Sequence, residues 1–504
     1  MPISFNNISD DQRTPGAYVE IDNSRALKGL YANPHKALLI GQMLSAGTRT
    51  HEELIAITRD GLADGYFGLG SPLARMINIF KKNNPNTELW ACAVSISTGA
   101  GAKASACVQF STAVSANGGS CGGAGTVYMM INGVAMDLAL TSTWSIQDIN
   151  SYAVTKINAL STLPVSASNG GSAISNTMVL IAKYSGTIGN YLDVRVNYYD
   201  HQSLPAAMSG DSITITNFAG GSGEPDIDPV WSLIDDEQFH YIGMPYSEAA
   251  DLSSVEDELD DRFGPMIDQQ GHCFTAYKAT AANLTTKGNS RNSPYVTIMG
   301  YYNAPQDTCE WAGALTAKAA HYLNQDPARP LHGIELKGIL PPPISDRFTR
   351  AERNTLLYDG IATYTTNVGK VYVERCITTY QTNAAGVIDP SYLDVQTLAT
   401  LSEIRYQYKT RMYNRFISPR FKLADNTFPV QPGSYVATPS LIRGEIIALF
   451  SELQSVGLIE NLEDFIENLI VERNSTDRNR VDVLLAPTLI GQFRMLATKI
   501  EFLL

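Results

Sequence analysis

The alternation of apolar and polar positions is clearest at the two ends of the chain. Val481, Val483 and Leu485 share one side of an extended segment, Ala486-Pro487-Thr488 interrupts it, and a second extended run, Gln492 to Leu504, closes on Ile500-Glu501-Phe502-Leu503-Leu504. Period-two alternation around a proline break predicts two strands, with a hairpin as one arrangement. At the other end Ala17-Tyr18-Val19-Glu20-Ile21 alternates in the same way behind a polar leader. An apolar last strand with no later segment to cover it leaves an open sheet edge, and such edges aggregate unless something pairs with them. Closure inside the chain's own sheet is the ordinary arrangement. Two terminal strands and one open edge together predict strand exchange between subunits instead.

Between the ends, the pattern changes character several times. Ala37-Leu38-Leu39-Ile40 predicts a buried strand and Glu52 to Arg59 a polar helix; Ser71-Pro72 opens a helix over Leu73 to Phe80, with serine as cap and proline at the first position. Leu89 to Ile96 is a further strand, so residues 27–97 read as the first part of an α/β core. Gly, Ala and Ser then dominate, and strands follow one another: a hairpin at Tyr128 to Met136 turning on Asn132-Gly133, a helix capped by Ser145 with Asp148 in its first turn, then strands at Met178 to Tyr184, Tyr191 to Tyr198 and Ile213 to Phe218. Residues 98–220 are therefore an inserted β-rich domain. After the linker Gly220-Gly221-Ser222-Gly223, strands and helices alternate again to residue 345, which predicts a mostly parallel sheet.

Past Pro341-Pro342-Pro343, residues 346–504 read as an α+β unit. Its helices span Arg347 to Leu357, Leu393 to Arg415 and, from the Thr438-Pro439 cap, a segment ending at Gly457, with a strand at Val371 to Ile377. Ile442, Ile446, Leu449, Phe450, Leu453 and Val456 share one face of the last helix. Two charge blocks stand out. Glu403 to Lys422 carries Arg405, Lys409, Arg411, Arg415, Arg420 and Lys422, interleaved with Tyr406, Tyr408 and Tyr413; Glu445 to Glu472 carries seven acids, among them Glu460, Glu463, Asp464 and Glu467, and no base. They read either as solvated faces or as complementary surfaces in a head-to-tail array.

Composition narrows the field. At 504 residues, about three domains are expected. Hydrophobic content of 44% with 17% charged residues describes a folded chain, and a net charge of −13 disfavours a nucleic-acid groove even where tyrosines lie among arginines. The six scattered cysteines form no C-x-x-C pair and read as thiols in a reducing cytoplasm. The amino terminus lacks a basic, then apolar, leader, and no stretch approaches the ~18 apolar residues of a membrane helix. Candidate chemistry is sparse. Seven histidines show no metal-ligand spacing, Gly68-x-Gly70 lacks the third glycine of a dinucleotide loop, and Asp235-Asp236 and Asp260-Asp261 lie in acidic runs. Gly118-Gly119-Ser120-Cys121-Gly122 has the spacing of a nucleophile elbow but is followed by a strand-like segment where that motif requires a helix. No cofactor, metal site or catalytic set is expected.

One stretch carries a family likeness. Ile3-Ser4-Phe5, then Arg13-Thr14-Pro15-Gly16, Tyr18 and Glu20-Ile21-Asp22-Asn23-Ser24 resemble the start of the Mu-like contractile tail sheath proteins of bacteriophages, and the later organisation is similar over nearly the full length. The resemblance implies a non-catalytic core of subtilisin-like topology, an amino-terminal arm (1–26) and a C-terminal domain whose sheet is completed by arms of neighbouring subunits. It implies a structural subunit assembled in the host cytoplasm into a virion tail, as hexameric rings stacked around a tail tube. The implied partners are the tube, baseplate and tail terminator proteins, with neither nucleic acid nor membrane insertion. Tyr18, Val19, Glu20, Ile21, Val481, Val483, Leu485, Leu496, Ile500 and Phe502 become candidates for strand exchange, and the charge blocks for interface contacts. A hydrolase on the α/β core with Ser120 as nucleophile is the competing reading.

Overall fold

The computed structural model describes residues 30–96, 101–110, 124–170, 177–205, 213–429, 431 and 434–503. By internal contacts the chain forms two compact units, one of residues 34–402 with 491–504, the other of residues 1–33 with 403–490.

The first unit is built on a nine-stranded sheet. Six strands at its centre are parallel, in the order Ile361–Asn367, Val296–Tyr301, His272–Lys278, Tyr241–Gly243, Lys36–Gln42 and Glu88–Val94. Antiparallel strands finish both margins: Leu54–Ala56 beside Glu88–Val94, and Lys370–Arg375 followed by Ile334–Glu335 on the other side. The central strands are buried along nearly their whole length, as a sheet covered on both faces requires. Leu54–Ala56 lies where the sequence predicts a polar helix; three residues pairing with Trp90 to Cys92 satisfy the backbone there, and a segment so short gives periodicity little to report.

The helix Pro72–Asn83 starts as expected, with the Ser71 hydroxyl accepting from the Ala74 N–H at 3.1 Å. It lies directly on the helix Thr308–Gln325, where Gly313 permits the approach: a Cβ there would stand 2.7 Å from the Met76 carbonyl oxygen and from Ile79. Trp311, stacked on Tyr301 at 4.5 Å, fills the space between helix and sheet.

Residues 101–219 supply two antiparallel sheets. One has the order Ile213–Ala219, Lys103–Phe110, Thr177–Ser185, Val165–Asn169; the other, Val134–Leu140, Gly125–Ile131, Val194–Val196. Asn132 and Gly133 take φ of 46° and 78°, the left-handed pair a two-residue hairpin needs. The helix Ile146–Ala159 carries the full Ser145–Asp148 capping box. This region is tied to the core sheet by polar contacts, Gln42 Nε2 donating to Ser185 O and Lys278 Nζ to Tyr191 O, and to the proline run by Tyr198 OH donating to Pro341 O.

The second unit holds the helix Pro439–Ser455, capped by Thr438, with Ile446, Leu449, Phe450 and Leu453 buried; Val456 closes it and is exposed. Phe450 stacks on Phe465 of the short helix Leu462–Asn468 at 4.0 Å. Three two-stranded ribbons complete it, among them Ile470–Arg473 with Val481–Leu484 and Ile459–Glu460 with Thr488–Leu489.

Candidate functional site

The strand Val481–Leu484 pairs antiparallel with Ile470–Arg473, not with the segment after Pro487. The seven-residue connection from Asn474 to Arg480 brings these strands together, with Asn474 Nδ2 donating to Asp482 Oδ2 at 2.6 Å. Val481 and Val483 line a groove of about 400 Å³ with Met412, Phe416 and Ile442, and Leu485 is half-buried beyond them. Leu484 and Ile470 of the same ribbon are exposed.

The predicted second strand, Arg494 to Phe502, has an extended sequence pattern but pairs with no strand among the described residues. Every residue from Met495 to Leu503 is exposed, including Leu496, Ile500 and Phe502. A run carrying five large apolar side chains, Met495, Leu496, Ile500, Phe502 and Leu503, and leaving all of them to solvent is unusual for a folded chain. Tyr18, Val19, Glu20 and Ile21 lie outside the described residues, as does Ser120.

Two members of the basic block, Arg411 and Arg415, meet acids of their own subunit. Arg411 donates from Nε to Glu445 at 2.6 Å and from both terminal nitrogens to Glu452 at 3.2 Å; Arg415 reaches Glu445 at 3.5 Å. Glu445 and Glu452 stand seven residues apart, two turns on one helix face, so a single guanidinium spans both. Burial opposes the charge on Arg411, but the two carboxylates more than offset it and raise its pKa. Arg411, Arg415, Glu445 and Glu452 are therefore partners within the fold. Glu460, Glu463, Asp464 and Glu467 remain exposed on and beside the helix Leu462–Asn468, and Lys409 is exposed and Arg405 half-buried on the helix Val395–Met412.

Contacts made by residues 31–33 and by Arg494 are the part that sequence reasoning missed. The side-chain amide of Gln407, fully buried, accepts from the Tyr31 N–H at 2.8 Å and donates to the Tyr31 carbonyl at 2.7 Å. Tyr406 OH donates to Ala32 O at 2.9 Å, and Asn33 Nδ2 to Glu403 Oε2 at 2.9 Å. At the other arm, Arg494 Nη1 meets Asp394 Oδ1 at 2.7 Å, and Arg375 binds the same carboxylate at 3.2 Å. The spacing of Glu403, Tyr406 and Gln407, at i, i+3 and i+4, was the available signal; it places three polar side chains on one helix face.

Among the described residues, no cluster of three or more His, Cys, Asp and Glu side chains is arranged to hold a metal, and no helix is long and apolar enough to cross a membrane. Cys92, Cys107, Cys273, Cys309 and Cys376 are free thiols.

Core and insert, ribboned second unit and exposed apolar tail describe a mixed α/β protein of several parts, with its unusual chemistry at its chain ends. Comparison supplies the family. The profile of the phage tail sheath protein central domain matches residues 220–379, and that of the phage tail sheath C-terminal domain matches residues 388–502. Over 505 aligned residues, covering 100% of both chains, the sequence is 37% identical to the Mu-like prophage FluMu tail sheath protein of Haemophilus influenzae. The chain belongs to the phage tail sheath family, and is a structural tail sheath protein of the Mu-like kind. Among solved structures, the sheath tail protein of Desulfitobacterium hafniense aligns over 94% of this chain and 100% of its own, with 14% identity and a TM-score of 0.46. The helical sheath of the anti-feeding prophage in its contracted state aligns over 97% and 99%, with 10% identity and a TM-score of 0.47. Nothing in these comparisons supports the hydrolase reading built on Ser120.

Proposed function

We propose that this chain polymerises as the sheath of a contractile tail: hexameric rings stacked helically around an inner tube, anchored at a baseplate, closed by a terminator, and contracting to drive the tube through a host envelope. The subunit is then a component of the virion, assembled in the host cytoplasm, and its α/β core, of subtilisin-like topology, serves as a rigid body without catalysis. The observation that carries this reading is the exposed apolar run from Met495 to Leu503, in a chain 37% identical throughout to a tail sheath protein.

Among the described residues nothing pairs with that run, and a two-stranded ribbon such as Ile470–Arg473 with Val481–Leu484 is marginal alone. Strand addition from neighbours satisfies both needs, with Tyr18 to Ile21 and Leu496 to Phe502 as donors and the ribbon as acceptor. Backbone pairing of this kind persists while rigid bodies rotate, which is what a sheath with two states requires. Negative-stain microscopy of the purified chain tests the proposal: regular tubes are expected, and a uniform field of discrete particles at high concentration overturns it.

A further inference from the structure

We propose that the helix Val395–Met412 and the residue before it clamp the roots of both arms, with Gln407 holding the amino-terminal arm and Asp394 the carboxyl-terminal one. The inference rests on the reading of the arms as links between subunits, and it adds where each link is fixed to its own subunit.

Gln407 is fully buried and treats Tyr31 as a strand partner would, taking its N–H and giving to its C=O. A third hydrogen bond, from Gln407 Nε2 to Glu403 Oε1 at 2.6 Å, fixes the rotamer of the amide, and Glu403 and Tyr406 bind the next two residues of the arm. Two of the three arm residues held here are gripped by their backbone, so the grip is indifferent to their side chains. A buried amide whose partners are main-chain groups loses its hydrogen bonds if the arm leaves, and that loss keeps the arm root in place.

The second clamp is ionic. Arg494 is the last side chain of the tail to turn inward: its side chain is 21% exposed, between Phe493 at 75% and Met495 at 81%. Its guanidinium meets Asp394, bonds Gln492 Oε1 and approaches Gln396 Oε1 at 3.5 Å. Asp394 also binds Arg375 at the end of the strand Lys370–Arg375, so the tail root is referred directly to the central sheet. Beyond Arg494, no described residue of the tail is buried. The clamp therefore sets how much of the described tail reaches outward: residues 495–503, a span of about 30 Å when extended.

Gln407→Ala and Arg494→Ala, each in the full chain, test the clamps through hydrogen exchange, thermal melting and tube formation. Each variant is expected to keep a cooperative melt near that of the parent, to exchange about tenfold faster at residues 31–33 or 491–495 respectively, and to give sparse, irregular tubes. Arg494→Lys, which keeps a cation for Asp394, is expected to restore most of the tube yield. Unchanged exchange at the arm roots overturns the clamp, as do normal tubes from the double variant. Loss of the cooperative melt overturns it too, because the residues would then hold the core and not the arm. Deleting residues 495–504 separates the two ideas: tubes from that truncation sink the strand-exchange reading alone, and the exchange measurement still judges the clamp.

Discussion

Asp307 caps the helix Thr308–Gln325 and, from a fully buried position, holds the guanidinium of Arg75 at 2.8 Å. Arg75 also meets Glu310 at 2.7 Å, and Asn132 of the inserted hairpin closes the group, accepting from the Asp307 N–H and donating to Glu310, each at 3.1 Å. One cation thus faces two carboxyls where two helices and the insert meet. Burial pushes both carboxyls up. For Asp307 the pull of Arg75 and its hydrogen bonds prevail and hold it below the usual carboxylate range; for Glu310 burial and the neighbouring Asp307 prevail and hold it well above.

Removing the cation is expected to be severe. Arg75→Ala leaves Asp307 buried without its partner and is expected to lower the unfolding free energy by about 3–5 kcal/mol, read as a fall in the urea midpoint. Glu310→Gln is expected to be mild at pH 7. A carboxyl whose folded pKa is raised contributes stability fully present below its unfolded pKa, and that contribution is lost as pH rises through the folded value. Urea midpoints from pH 6 to 10 should therefore decline less steeply in Glu310→Gln than in the parent chain.

Acid is expected to destabilise the fold through a different group. His272 is buried with Nε2 at 2.8 Å from the Thr297 hydroxyl, and burial lowers its pKa from 6.5 to about 3. A base depressed in this way stabilises the fold above its unfolded pKa and ceases to do so as pH falls from 6.5 toward 3. Melting temperature is expected to drop across that window, and His272→Asn to flatten the drop; an equally steep profile in the variant would assign the lability elsewhere.

Deleting Met1 to Ile21 is expected to leave a folded, soluble subunit, because in the strand-donation reading this arm pairs with a neighbour and not with its own core, but to abolish regular tubes. Circular dichroism and electron microscopy on the same preparation check the two halves of that statement. Regular tubes from the truncated chain would rule out strand donation by this arm.

The charge blocks now separate by role. Arg411→Glu sets a third carboxylate against Glu445 and Glu452, and is expected to destabilise the subunit itself by about 2–4 kcal/mol. Reversing Glu460, Glu463, Asp464 and Glu467 together is expected to spare folding and weaken assembly, since each exposed pair is worth only ~0.2–1 kcal/mol but recurs at every subunit. Raising salt to 1 M, where the Debye length is about 3 Å, is expected to mimic the reversal. Tube yield indifferent to both would leave this acidic face simply solvated.

What the sequence determined by itself was local. The Ser71-Pro72, Ser145–Asp148 and Thr438-Pro439 helix starts and the Asn132-Gly133 turn stand where they were read, because the groups that decide each lie within four residues of one another. The parallel core was legible for a related reason, since strands buried on both faces must be continuously apolar. Only tertiary structure decided the rest. Leu54–Ala56 became a strand because Glu88–Val94 offered a free edge, and Ile361–Asn367, which no pattern singled out, joined the sheet beside Val296–Tyr301. Val481–Leu484 took Ile470–Arg473 as its partner because pairing depends on which backbone lies alongside, a fact alternation does not encode. Arg411 found Glu445 and Glu452, and Gln407 found Tyr31 across 376 positions, through contacts made only when distant segments fold together. The tail is the converse case: the sequence showed its apolar character, and the structure leaves Met495, Leu496, Ile500, Phe502 and Leu503 exposed, because period-two alternation sets which side chains share a face and says nothing of what covers them.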